Sequence, residues 1–163
     1  MIIITLIFSF LFEGIFTNLI SNNSLLIPMF LVTSLVILYP YFNCNNNKFL
    51  LSAGIIGFFY DIIYTDTLFL NTFAFLLTAL SIIIIYNYIN MNSFNINALN
   101  VVIIVIFDII SYILLCIVGY HGFDVDVLIR GIYSSIIANL VYGIILYIVT
   151  DKIGNKLKLR KME

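Results

Sequence analysis

The stretch "AGIIGFFYDIIYTD", residues Ala53 to Asp66, places an acidic side chain, Asp61, inside a segment that is otherwise almost wholly apolar. A helix that spans a membrane needs about 20 mostly apolar residues, and the sequence around Asp61 follows that pattern. A carboxylate in such a helix is costly unless it is paired, hydrogen-bonded or hydrated. The role of Asp61 therefore depends on the fold of the whole chain.

The composition favours a membrane protein. Of the 163 residues, 63% are hydrophobic and 9% are charged, and the mean hydropathy is +1.17. Soluble domains carry about 25% charged residues, so this chain has too little polar surface to cover a globule in water. Its length is sufficient for one helical bundle without a second folded domain.

Polar breaks divide the chain into six apolar segments, which predict an all-α integral membrane bundle of six transmembrane helices. The first segment lacks a basic start and is interrupted by Glu13, so we expect a retained helix rather than a signal peptide. The predicted spans are 1–20, 25–42, 49–64, 68–88, 99–120 and 127–150, which form one domain over 1–150, followed by a short basic tail at 151–163.

The basic residues predict the orientation. Five of the seven lie in the tail, and Lys48 lies in the second loop, whereas the loops "SNNS", "YTDT" and "HGFD" contain neither Lys nor Arg. Cytoplasmic loops are enriched in Lys and Arg, so both termini are expected in the cytoplasm. Arg130 is the exception. Either a helical pair with Asp126, four residues earlier, or snorkelling of the Arg130 side chain to the lipid headgroups is expected to accommodate its charge.

Small and polar residues recur at helical spacing in several segments. Two interpretations remain open: these faces pack against neighbouring or partner helices, or they line a ligand cavity or a proton path. The positions are Gly54, Gly57 and Asp61 in the third segment; Gly131, Ser135, Asn139 and Gly143 in the sixth; Ser9, Glu13 and Thr17 in the first; and Asp108 with Ser111 in the fifth.

Catalysis and metal binding are not expected. His121 is the single histidine, which excludes multi-histidine metal sites. Cys44 and Cys116 are predicted to be free thiols. No Gly-rich phosphate loop occurs, so we expect no cofactor, and the basic tail is too short to predict nucleic-acid binding. Contact with anionic lipid is sufficient to explain the basic residues of the tail.

The chain resembles the bacterial rod shape-determining protein MreD family over nearly its full length. The similarity is carried by "IPMFLVTSLVILYPYF", by "SAGIIGFFYDIIYTDTLFLNTFAFLLTAL" and by "LIRGIYSSIIANLVYGIILYIVTDKIGNKL". Asp61, Gly54 and Gly57 match the family pattern best, followed by Asn139. After the aspartate the family often has a Gly-containing turn, where this chain has "YTDTLFLN".

The resemblance implies a non-enzymatic scaffold in the bacterial cytoplasmic membrane, within the elongation machinery for cell-wall synthesis. Its expected partner is MreC, a single-span protein, and through it RodA, a penicillin-binding transpeptidase and MreB. In this hypothesis, a small-residue face of the third or sixth helix receives the MreC helix.

A transporter subunit is the alternative function. The MreD family is similar in fold to the substrate-binding subunits of energy-coupling-factor vitamin transporters, which are six-helix bundles, and a shared fold does not imply a shared function. In that hypothesis a small vitamin would be surrounded by Asp61, Asp108, Asn139 and Arg130.

Overall fold

The computed structural model of the chain describes residues 1–20, 27–43, 45–65, 67, 69–88, 93–120 and 122–157. No β-strand occurs within these ranges, so the predicted all-α class is confirmed. The described residues form six α-helices, which are α1 (Ile2–Ile20), α2 (Phe30–Leu38), α3 (Asn46–Tyr64), α4 (Leu70–Tyr86), α5 (Ser93–Val118) and α6 (Val125–Leu157).

Helix α2 is the centre of the bundle. All nine of its residues are buried, and it packs against α1, α4, α5 and α6. Around it, α3 packs on α4, α4 on α5, and α5 on α6. A helix with apolar residues on every side is typical of an environment of protein core or lipid, and α2 is enclosed by protein.

Two prolines make α2 shorter than the predicted segment 25–42. Pro28 disfavours a helical conformation at the residue before it, so Ile27–Met29 is not helical and α2 begins at Phe30. At the other end, Pro40 cannot donate a backbone hydrogen bond. The chain there tightens into a 3₁₀ turn, Tyr39–Phe42, which ends at Asn43 with φ of 51°.

The bounds of α3 and α6 also differ from the predicted segments. Helix α3 begins at Asn46 rather than at 49, because the Asn45 side chain accepts a hydrogen bond from the Lys48 backbone N–H at 3.1 Å and caps the first turn. Helix α6 continues to Leu157, so residues 151–157 of the predicted tail are helical. The remaining tail lies outside the described residues.

The structure is compatible with a membrane protein. Among the residues that the structure describes, three helical stretches are long and apolar enough to cross a membrane, Ile2–Leu19, Asn95–Val118 and Val125–Gly154, and Phe30–Phe42 and Leu70–Tyr86 are shorter apolar helices. Large apolar side chains are exposed along the outer faces of α1, α3, α4, α5 and α6. Exposed apolar surface of this extent is typical of a protein solvated by lipid.

Candidate functional site

Asp61, in the last turn of α3, caps the first turn of α4. Its Oδ1 accepts hydrogen bonds from the Asn71 backbone N–H and side-chain amide, both at 3.0 Å. Its Oδ2 accepts from the Thr72 backbone N–H at 2.8 Å and from the Thr72 hydroxyl at 2.7 Å. The first N–H groups of a helix have no intrahelical partner. The carboxylate supplies those partners at the positive end of the α4 dipole.

The residue that precedes α4 explains why a cap from another helix is needed. Phe69 occupies the N-cap position, makes no side-chain capping bond, and has φ of 66°, in the left-handed region that favours glycine. The Phe69 ring lies 5.9 Å from that of Phe58 on α3, so a contact between side chains accompanies this left-handed turn.

The two glycines of the same face allow α3 and α4 to approach closely. A Cβ atom added at Gly57 would lie 2.7 Å from the Thr72 Cα and 3.0 Å from the Asn71 carbonyl oxygen. A Cβ at Gly54 would lie 3.3 Å from the Leu76 side chain. The face that the sequence singles out is thus filled by α4, and a partner helix could reach it only if the hairpin opened.

Glu13 plays a similar part for α2. Its side chain is 3% exposed, and its Oε2 accepts a hydrogen bond from the Leu31 backbone N–H at 2.8 Å. The backbone of Phe30 and the Tyr60 side chain are further hydrogen-bond partners. The N-cap residue of α2, Met29, makes no side-chain capping bond. Glu13 therefore caps α2 and joins it to α1 and α3.

Tyr64 strengthens the contact between α1 and α3. Its hydroxyl donates to the Phe10 carbonyl oxygen at 2.8 Å, and its ring centroid lies 4.7 Å from that of Phe10. The ring packs against Gly14, where an added Cβ would overlap the tyrosine. No role was predicted for Tyr60, Tyr64 or Gly14, although a glycine directly after an acid in an apolar segment was a usable signal.

Asn139 of α6 holds the non-helical segment before α2. Its Oδ1 accepts from the Met29 backbone N–H at 2.7 Å, and its Nδ2 donates to the Ile27 carbonyl oxygen at 3.1 Å. The Ile27 N–H donates to the Ser134 carbonyl oxygen at 3.1 Å. Irregular backbone within a membrane is tolerated only where protein or water supplies its hydrogen bonds, and here α6 supplies them.

The other positions of the predicted α6 face divide into buried and open. Ser135 donates to the Asp108 Oδ2 at 2.7 Å and so ties α6 to α5. A Cβ at Gly143 would lie 2.8 Å from the Asn100 side-chain amide, so this glycine is closely packed. At Gly131 nothing lies within 4 Å.

A cluster of hydroxyl groups links α1, α2 and α6. The Ser9 hydroxyl lies 2.6 Å from that of Ser34 and 2.7 Å from that of Tyr142. The sequence indicated Ser9, four residues before Glu13, but gave no signal for the other two, because single hydroxyls in apolar segments are too common to be informative.

Three buried polar atoms have no hydrogen-bond partner among the described residues. They are Thr33 Oγ1, Asn100 Oδ1 and Ser111 Oγ. Thr33 and Asn100 both lie against Gly143. The polar atoms in this part of the interior therefore have fewer hydrogen-bond partners than those at the two capped helix ends.

Arg130 and Asp126 do not form the predicted pair. Both side chains are exposed, and no ion pair joins them in the part of the chain that the structure describes. The Asp126 backbone N–H instead donates to the Asp124 side chain at 2.9 Å, at the start of α6. His121 and Cys44 lie outside the described residues, and Cys116 is a free thiol.

The buried acids therefore act as hydrogen-bond acceptors for backbone N–H groups or a serine hydroxyl, on three different pairs of helices. Such an arrangement fixes the positions of helices. Comparison with protein-family models, with curated proteins and with solved structures finds no match for this chain.

Proposed function

We propose that this chain is a non-enzymatic scaffold subunit of the MreD type in the bacterial cytoplasmic membrane, with six spans and both termini in the cytoplasm. It binds an MreC-like single-span protein and thereby connects RodA, a penicillin-binding transpeptidase and MreB to cell shape. The proposal rests on the motif resemblance and on the compatibility of the fold with a membrane bundle.

One observation favours a scaffold over a ligand-binding subunit. Both carboxylate oxygens of Asp61 accept hydrogen bonds from backbone N–H groups of this chain. The side-chain oxygen and nitrogen of Asn139 are both bonded to the backbone of this chain as well. Asp108 accepts from Ser135. A transporter subunit would need these groups to face a ligand. Their use within the bundle supports a rigid structural role, with partners bound on the outer surface.

The partner helix is expected on an outer face rather than on the predicted α3 face. Helix α4 fills the space beside Gly54 and Gly57, whereas Gly131 of α6 is open. A small residue in an open position allows the backbone of another membrane helix to approach closely. Gly131 is thus the predicted partner-binding residue that remains available.

The experiment is an affinity pull-down of the tagged protein from native membranes, with the co-eluting proteins identified. Wild type should recover an MreC-like single-span partner, and Gly131→Leu should reduce that recovery. Gly122→Leu is the matched control, because Gly122 is also open but lies in the loop before α6. Recovery of ATPase subunits with a coupling protein would overturn the scaffold proposal in favour of a transporter.

Asp61→Ala tests the same proposal from inside the bundle. Because the carboxylate caps α4, we expect the variant to enter the membrane and to recover less of the MreC-like partner. Unchanged recovery would show that the α3–α4 corner does not contribute to partner binding.

A further inference from the structure

An apolar groove runs along the outer surface between α1 and α3. Its volume is about 610 Å³. The last turn of α3 contacts the middle of α1 through Tyr60 and Tyr64, while the groove continues toward the first turn of α3. Exposed side chains form its two rims, which are Ile3, Ile7 and Leu11 on α1 and Leu51, Ile55 and Phe59 on α3.

The dimensions of the groove fit an alkyl chain. Its α3 side extends from Lys48 to Ile63, which at 1.5 Å per residue is about 22 Å. An α-helix of the same length would need about 2,000 Å³, more than three times the volume of the groove. An α-helix with its side chains is about 10–12 Å wide, whereas carbon atoms of neighbouring chains pack at about 4 Å. A partner helix would rest on the rims, and a single acyl chain would lie between them.

The charge at one end of the groove identifies the headgroup. Lys48 lines the groove in the first turn of α3 and is exposed, so it adds a positive charge to the end of the groove where the α3 dipole is also positive. The other polar lining residue, Ser52, donates its hydroxyl to the Phe49 carbonyl oxygen at 2.7 Å. A ligand with a long apolar tail and one anionic end matches this distribution.

We propose that the groove between α1 and α3 binds one acyl chain of an anionic glycerophospholipid, whose phosphate pairs with Lys48. The lipid comes from the leaflet on the Lys48 side. It covers the gap between α1 and α3. The inference goes beyond the scaffold function and holds whichever protein partner the bundle binds.

Native mass spectrometry of the detergent-purified protein tests the proposal, with phosphatidylglycerol and phosphatidylcholine of identical acyl chains added in equal amounts. Wild type should retain phosphatidylglycerol preferentially. Lys48→Gln should reduce that preference about fivefold, which corresponds to the roughly 1 kcal/mol that one Lys contributes at an anionic membrane surface. Lys152→Gln, which changes an exposed lysine on α6, should leave the preference unchanged.

A second pair of variants tests the groove itself. Ser52→Phe should fill it and abolish retention of both lipids. Ser81→Phe on α4 is the matched control, since the Ser81 hydroxyl also bonds to its own helix, at 3.0 Å to the Leu77 carbonyl oxygen, and lies outside the groove. Equal lipid retention by Ser52→Phe and wild type would overturn the proposal.

A photo-crosslinking residue at Ile55 separates the lipid from a protein occupant. Capture of phosphatidylglycerol supports the proposal. Capture of a partner helix in place of lipid would overturn it without affecting the pull-down result at Gly131. The failure of the lipid proposal and the failure of the scaffold function are therefore distinguishable.

Discussion

Asp61 and Glu13 both cap the N-terminus of a neighbouring helix, but they differ in how many helices they connect. Each is a buried carboxylate that caps the helix following its own, because the N-cap residue of that helix makes no side-chain bond. Asp61 receives four hydrogen bonds from two adjacent residues of α4, so its effect is confined to one hairpin. Glu13 is bonded to α2 and also to Tyr60 on α3, so it joins three helices.

The difference lies in the partners that each carboxylate faces. Both oxygens of Asp61 face a backbone N–H, which can only donate. One partner of Glu13 is a tyrosine hydroxyl, which can donate or accept. Position 61 therefore requires a carboxylate, whereas position 13 is expected to tolerate a side-chain amide in its place.

The largest effect is expected for Asp61→Asn. The amide nitrogen would face a backbone N–H that has lost its acceptor, and the attraction to the α4 dipole would be lost, at a total cost of about 3 kcal/mol. The measurement is the free energy of unfolding in mixed micelles. Asp61→Ala should be affected to a similar extent, because it removes the acceptor of both N–H groups but places no amide nitrogen against them. A loss below about 1 kcal/mol for Asn would contradict this expectation.

Glu13→Gln should be the milder substitution. The amide oxygen can still accept from the Leu31 N–H, and the Tyr60 hydroxyl can rotate to accept from the amide nitrogen, so a loss of about 1 kcal/mol is expected. Combining it with Tyr60→Phe removes that acceptor and should raise the cost of the Gln substitution. If Gln at position 13 proved as costly as Asn at position 61, the comparison between the two caps would fail.

The smallest effect is expected at Thr33, which extends the comparison to a polar group without a partner. Thr33→Val should leave stability unchanged or raise it, because the buried hydroxyl has no partner among the described residues. Thr78→Val is the matched control, since the Thr78 hydroxyl donates to the Ala74 carbonyl oxygen at 2.7 Å. It should cost about 0.5 kcal/mol, and equal losses in both variants would contradict the assignment.

The sequence predicted much of this architecture from local patterns. Apolar segments between polar breaks located the helices. The spacing of Gly54, Gly57 and Asp61 identified one helix face, for which close packing and a ligand cavity were both open, and in the structure this face packs closely on α4. The α2 boundary was wrong because hydropathy does not register that Pro28 keeps Ile27 out of a helix. The segment remained apolar, so its non-helical start was invisible to a count of apolar residues.

The partners of the polar residues could not be predicted, because they depend on which helices meet. Glu13 bonds to a backbone 18 residues away, and Asn139 bonds to one more than 100 residues away. Sequence spacing identifies residues that share a face of one helix, but it does not identify the neighbour that the face contacts. Of the two alternatives for Arg130, the pair with Asp126 is not formed, because exposed side chains at helical spacing gain little free energy from pairing.

Hydrogen exchange of backbone amides would show whether the buried acids of this bundle hold the ends of helices in place. In Asp61→Ala, we expect faster exchange at the Asn71 and Thr72 amides, with the Leu31 amide beside Glu13 unchanged. Unaltered exchange at the start of α4, or acceleration spread equally over both helix ends, would contradict this role of the acids.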